Sequence, residues 1–203
     1  MLYVDGPLSS IPGNPIVDQV TCHPLPAQSG GTMRKLFLTP LEDGVLVGVG
    51  NIAHLTDSYG QQAFVWNPSQ GYELIPTERY NGQPLKTAFH SADGTFSYLL
   101  AGDGDLYEVR SADSFRPLYT DLYSSGVFDA SRGKDLRAYF AFTFAQDLRL
   151  LDKATGKVWS APNLGLDGHN ISDVTLFKDT LIISSRTGGI FYQALSDVWP
   201  EEQ

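Results

Sequence analysis

The stretch Ser91–Arg110, SADGTFSYLLAGDGDLYEVR, sets Asp-Gly and Gly-Asp pairs around a run of apolar and aromatic residues. The carboxylates belong either to a metal-binding loop or to turns between strands. The metal reading fails on spacing. Asp103 and Asp105 begin as a calcium loop of the EF-hand type does. The fifth, sixth and twelfth positions are then Tyr107, Glu108 and Ser114, where such a loop needs an oxygen ligand, Gly and Glu. Tight hairpins need what is present, because Gly and Asp tolerate positive φ between two apolar runs. The stretch reads as strand, turn, strand.

The pattern recurs outward from this point. LEDGVLVGVG, SADGTFSYLL, RGKDLRAYFAF and LFKDTLIIS each place a turn before an apolar strand, with Asp43, Asp93, Asp135 and Asp179 aligned at separations of 50, 42 and 44 residues. A strand with more alternation follows each (QQAFVWN, DLYEVRS, DLRLLDK, GIFYQAL), and another precedes it (RKLFLTP, KTAFHS, GVFDAS, SDVTLF). In the first three units a short outer strand is added: SQGYELIP, ADSFRPLY and ATGKVWSA. Four strands in about 45 residues is the size of a propeller blade. The second strand of each unit is apolar on both faces, as a strand packed between neighbouring sheets should be.

The expected fold is therefore all-β, a small propeller of about four four-stranded blades; a β-sandwich with similar turn spacing is the alternative. The fourth unit runs out after GIFYQALSDVWPEEQ, and Met1–Val4 is the candidate strand that closes it. Prolines at 7, 12, 15, 24 and 26 forbid a helix before the first unit. The expected organisation is an extended Pro/Gly-rich arm over 1–32, the propeller over 33–199, and a tail over 200–203.

Bulk properties narrow the function. The chain of 203 residues is long enough for one good core, and its net charge of -9 with scattered basic residues argues against nucleic acid. The single cysteine, Cys22, excludes an intrachain disulfide and a cysteine-based zinc site. MLYVDGPLSS lacks the charged and apolar regions of a secretory signal, and no apolar run approaches the roughly 20 residues of a membrane helix. The expected setting is the cytoplasm or a virion, with no membrane insertion.

From Arg34 to Leu195 the chain resembles β-propeller repeat proteins, without matching a named blade family. The Gly-His and Trp-Asp pairs of WD40 blades are missing. SADGTF is similar to the start of an Asp-box, with its Gly one residue early and its Trp absent. In number the blades resemble hemopexin-like domains, but without their cysteine pair. The irregular arm GPLSSIPGNP joined to divergent blades resembles, more faintly, the propeller-bearing tail hub and nozzle proteins of short-tailed phages. That resemblance implies a virion or tail component. An incomplete ring that closes by self-association is also compatible with these units.

Local chemistry signals are sparse. GVGNIA, from Gly48 to Ala53, matches a dinucleotide fingerprint, but no strand–helix alternation surrounds it, so it reads as chance. His23, His54, His90 and His169 show no zinc spacing. Cys22 and His23 are adjacent on an extended chain and point to opposite sides, which makes a nucleophile–base pair awkward. Tyr139, Phe140, Phe142 and Phe144 read as packing between sheets. The candidate contact residues are Asp167, His169, Asn170 and Asp173 in the loop LDGHNISD, with Tyr119 and Tyr123 at a unit junction. No residue is assigned as catalytic, and no metal or cofactor is expected. The expected role is a non-enzymatic structural or binding module that docks with other proteins of an assembly. The alternative is a carbohydrate or small-ligand binding protein, or a hydrolase, using the propeller funnel.

Overall fold

The computed structural model describes residues 2–4, 20–22, 35–42, 44–50, 62–67, 69–83, 85–124, 130, 132–161, 166, 168–186 and 188–198. The chain enters through a two-stranded hairpin, β1 (Leu2–Val4) and β2 (Val20–Cys22). Four antiparallel sheets follow, each strand joined to its neighbour in sequence. The first holds β3 (Lys35–Leu41), β4 (Gly44–Gly50), β5 (Gln62–Asn67) and β6 (Gly71–Ile75). The second holds β7 (Leu85–His90), β8 (Ser97–Ala101), β9 (Leu106–Val109) and β10 (Phe115–Tyr119). The third holds β11 (Arg132–Asp135), β12 (Tyr139–Phe144), β13 (Asp147–Asp152) and β14 (Val158–Ala161). The fourth has three strands, β15 (Ile171–Phe177), β16 (Thr180–Ser185) and β17 (Gly189–Ala194), and ends in a short helix, α1 (Leu195–Val198). The repeating antiparallel meander seen in the sequence is the architecture, and the fold is all-β and propeller-like.

Two expectations are corrected. Leu2–Val4 does not extend the fourth sheet; it pairs with Val20–Cys22, Leu2 opposite Cys22 and Val4 opposite Val20, so the arm carries its own hairpin. Alternation in the third strand of each unit also fails at β9, whose four residues are all buried. The reason is Glu108, which is charged yet lies inside because Arg110 (2.7 Å) and Arg116 both bond its carboxylate. Burial pushes the Glu108 carboxyl up, but the two guanidiniums together outweigh it and hold the group below its ordinary value.

The sheets lie in sequence order, each with one face on the next. Leu41, Leu46, Ala63 and Ile75 of the first meet Leu85, Leu99, Tyr107 and Val109 of the second. Phe89, Tyr98, Leu100 and Leu106 of the second meet Phe140, Phe142 and Leu151 of the third. Ala141, Leu148 and Leu150 of the third meet Val174, Leu181 and Ile183 of the fourth, joined by Val198 of α1. The alternation of strand side chains supplies both faces from one run of sequence. Phe140 and Phe142 go to one side of β12 and Ala141 to the other, while Phe144 at the strand end is 47% exposed. Tyr139 packs with Ala141, on the fourth-sheet side.

Polar latches cross each seam. Between the first and second sheets, Ser97 Oγ lies 2.6 Å from Thr39 Oγ1 and donates to the Pro40 carbonyl at 2.7 Å. Between the second and third, the Ala92 N–H donates to Asp135 at 3.1 Å and the Tyr119 hydroxyl to the Lys153 carbonyl at 3.1 Å. Between the third and fourth, the Ile171 N–H donates to the Ala145 carbonyl at 2.8 Å and Lys134 pairs with Asp173 at 2.8 Å. These bonds connect residues far apart in sequence, so they set sheet order as well as stability.

One glycine governs the tightest approach. A Cβ at Gly133 of β11 would overlap the Phe89 ring of β7. Phe89 cannot yield, since it is wedged among Tyr98, Phe140 and Phe142 with ring centroids 5.3–5.9 Å away. Gly133→Val should therefore destabilise the fold by about 1–3 kcal/mol through overpacking. Adding Phe89→Leu should recover part of the loss. Thermal melts of the single and double variants check this; equal melting points for wild type and Gly133→Val would contradict the account.

Candidate functional site

Residues of β7, β11, β12 and β15, from the second, third and fourth sheets, line a half-open cavity of about 280 Å³. Gly133 lets β11 approach β7. Thr87, Thr143 and Ser172 line it, the Ser172 hydroxyl lying 2.9 Å from that of Ser184, and Arg132, Lys134 and Asp173 bring charge there. The Lys134 ammonium donates to both Asp173 oxygens at 2.8 Å. The Arg132 guanidinium donates to the Ser172 carbonyl. Thr87 and Thr143 are buried. The cavity can take a small polar molecule offering acceptors to Arg132 and the hydroxyls. Lys134 contributes little net charge while Asp173 holds it.

A second opening, of about 340 Å³, lies over the seam between the second and third sheets and is lined by Ser91, Asp93, Asp135, Arg137 and Lys153 among others. Three carboxylate-rich positions aligned in sequence do different work here. Asp93 closes its own turn: it accepts from the Ser91 hydroxyl (2.6 Å), the Thr95 N–H (3.1 Å) and the Thr95 hydroxyl (2.8 Å). Those bonds, from Ser91 first and then Thr95, hold its carboxyl down at about 2. Asp135 ends β11 with its side chain 4% exposed, and accepts from the Ala92 N–H (3.1 Å), the Arg137 N–H (2.7 Å) and the Lys153 ammonium (2.6 Å). Lys153 also sits 4.1 Å over the Phe140 ring. Asp179 offers its carbonyl to the Leu195 N–H at 2.7 Å, which seats α1. Asp43 lies outside the described residues. A carboxylate with its lone pairs engaged by two N–H groups and an ammonium is a structural latch.

Asp103 and Asp105 from the opening stretch are likewise turn residues. Asp103 accepts from the Asp105 N–H at 3.1 Å, and Asp105 accepts from the Asp121 N–H at 2.9 Å and the Asn81 side-chain amide at 3.2 Å. Gly104 between them has φ +91 and packs so closely on the Leu122–Tyr123 backbone that a Cβ would stand 3.0 Å from the Tyr123 nitrogen. Among the described residues no group of three or more His, Cys, Asp or Glu is placed to hold a metal ion.

The sequence candidates separate. Asp173 reaches the inner cavity. His169 is half-buried against Gly188, where a Cβ would meet its ring at 2.5 Å, and its N–H donates to the Leu166 carbonyl at 2.8 Å. Asn170 is exposed and its carbonyl accepts from the Arg186 N–H at 3.3 Å. Asp167 lies outside the described residues, as do His23 and His54. Tyr119 and Tyr123 pack into the second–third seam, and burial first, then Asp152, raises the Tyr119 hydroxyl above its ordinary value. The sequence reading missed Thr87, Arg132, Lys134 and Thr143. Nothing local marks them, since they come from three strands joined only by the packing.

Comparison with known proteins adds a fold and no family. No protein-family profile matches the chain, and no curated protein sequence does. Among solved structures the chain is similar to PorZ, described as an essential bacterial surface component of the type-IX secretion system of Porphyromonas gingivalis. The identity is 11% and the TM-score 0.53, over 81% of this chain and 21% of that one, so this chain spans about a fifth of its length. At that identity the likeness concerns the fold alone. It is not a phage protein, and the expected kinship with phage tail proteins finds no support. Among the described residues no helix is long and apolar enough to cross a membrane.

Two outcomes follow from these groups. Asp135→Ala should cost about 2–4 kcal/mol, because it leaves Lys153 and two N–H groups without their acceptor; Asp135→Asn, which keeps an acceptor oxygen, should cost less. Chemical denaturation of both variants reads the difference, and equal losses would mean that the bonds to Ala92 and Arg137 contribute little. On the alkaline side, burial raises Tyr98, and it lifts Tyr80 and Tyr107 to about 12. The folded state then keeps protons that the unfolded chain loses from about pH 10 upward, so stability falls as pH rises between about 10 and 12. Tyrosinate absorbance during alkaline titration should appear late and together with unfolding; early, non-cooperative titration of all tyrosines would contradict it.

Proposed function

We propose that this chain is a non-enzymatic, propeller-type structural module that docks with other protein surfaces in a larger assembly. The observation that carries the reading is the outward side of the fourth sheet, where Phe177, Ile190 and Tyr192 are 63%, 74% and 80% exposed. Contiguous apolar side chains left in water mark interaction surfaces. The ionisable groups favour the same reading, because Asp135 and Lys134 are engaged in latches between sheets and Glu108 in ion pairs within the second sheet. The fold likeness to a far longer surface component is compatible with a module inside a larger machine. The four sheets would be blades of a propeller, in a closed or an incomplete ring.

A second reading, binding of a small polar ligand, is favoured by the inner cavity with Arg132 and Thr87 on its wall. One experiment separates the two. Native mass spectrometry of the chain taken gently from its source should show a stoichiometric protein complex. A bare chain that a panel of sugars and small carboxylates stabilises against heat, with the gain lost in Arg132→Ala, would replace the assembly reading with the ligand one.

A further inference from the structure

We propose that the half-open cavity shared by the second, third and fourth sheets binds a small hydroxycarboxylate, with its carboxylate on Arg132 at the mouth and a hydroxyl on Thr87 at the floor. The inference rests on the ligand reading of this cavity and names the ligand's chemistry. Each of the three sheets brings a part. Strand alternation sends Arg132 and Lys134 to one face of β11, and the register sets Thr143 and Ala141 of β12 opposite them. Ala141 packs with the fourth sheet, so this row faces Ser172 and Asp173 of β15. Gly133, between them, turns the other way and lets the Phe89 ring lie on β11. Thr87 stands two residues from Phe89 on β7 and reaches the same cavity.

Mouth and floor differ in chemistry. Arg132 is exposed, and the Asp173 side chain is 62% exposed, whereas Thr87 is 2% exposed. The Thr87 side chain makes no hydrogen bond to another described residue. A buried hydroxyl ordinarily has a partner, and the cavity is where one can reach it. A water would satisfy that hydroxyl alone; the charge at the mouth asks for more. Among the described residues Arg132 gives its fork of N–H donors one acceptor, the neutral Ser172 carbonyl, and no carboxylate pairs with it. Lys134 is different, because Asp173 holds it through both oxygens at 2.8 Å. Two cations against one carboxylate leave the cavity a single spare positive charge, in a chain whose net charge is -9. A guanidinium left unneutralised amid an excess of acidic residues is suited to a carboxylate from outside, which it holds through two parallel bonds. A phosphate, with a charge of about -2, would exceed what is spare. Between the two polar ends Gly133, Ala141 and Val174 give an apolar wall for a short carbon skeleton. The volume of about 280 Å³ lies just under the range of drug-sized sites, about 300–1,000 Å³, and so fits a molecule of a few carbon atoms.

Calorimetric titration of the full chain with D-glycerate should show binding. Glycerol, which lacks the carboxylate, and acetate, which lacks the hydroxyl, should each bind at least about tenfold more weakly. Arg132→Gln should weaken glycerate binding at least about tenfold, and Thr87→Val about fivefold. Without ligand, Thr87→Val should melt no lower than wild type, because its hydroxyl has no described partner to lose. Asp173→Asn should act the other way. It removes the charge that neutralises Lys134 and should tighten glycerate binding about threefold, a gain that damage to the fold would not produce. Glycerate binding that Arg132→Gln leaves unchanged overturns the proposed site. If glycerol binds as well as glycerate and Thr87→Val abolishes both, the hydroxycarboxylate is wrong and the ligand reading stands. If glycerate, gluconate, glycerol and glucose all fail to bind at millimolar concentration, both fall.

Discussion

The Phe89 ring lying on Gly133 decides how close the second and third sheets can come, and the rest of the molecule is arranged around that contact. Phe89 is 5% exposed and ringed by Tyr98, Phe140 and Phe142, so the aromatic payload of two sheets is gathered at one point. Burying those rings supplies much of the stabilisation, and their edge-to-face geometry adds orientation. The approach also brings the Ala92 N–H within reach of Asp135, which in turn fixes Lys153 over Phe140. Apolar contact and polar latch are thus coupled. Without the small residue at 133, the carboxylate would not reach across the seam.

Carboxylates in this chain act as architecture. Asp93 and Asp103 cap their own turns, Asp105 ties its turn to Asn81 and Asp121, Asp135 joins the second and third sheets, and Asp173 joins the third and fourth. Each is a group that in another setting would serve acid–base chemistry or hold a metal. Here their lone pairs are engaged by hydroxyl, N–H and ammonium groups, and the low value of Asp93 comes from the Ser91 hydroxyl first and then from Thr95. The inner cavity at Arg132 and Thr87 is the place where polar atoms gather around a half-open space.

The stack has two different ends. The first sheet's outward face already buries Phe64 and Trp66, whereas the fourth sheet's outward face leaves Phe177, Ile190 and Tyr192 in water. Among the described residues the fourth sheet has three strands where its three predecessors have four, and α1 follows the third.

The antiparallel units were legible from turn chemistry alone. DG and GD between apolar runs can make little else, and the recurrence of turn then apolar strand marked each sheet in order. The shortened fourth unit was visible for the same reason. Where Leu2–Val4 pairs was not legible, because a three-residue strand has too little pattern to select one edge over another, and register follows from whichever partner lies near. Nor did sequence reveal that the aligned Asp93, Asp135 and Asp179 differ in role, since one residue at a strand end turns its side chain into a seam while another stays in its own turn. Of the candidate contact residues, Asp173 was found at the cavity, and its partners Thr87, Arg132 and Lys134 were not foreseen. Local chemistry settles strands and turns through φ preferences and alternation. Which side chains meet across sheets depends on how closely those sheets pack, and that distance is set only in three dimensions, by residues such as Gly133 and Phe89.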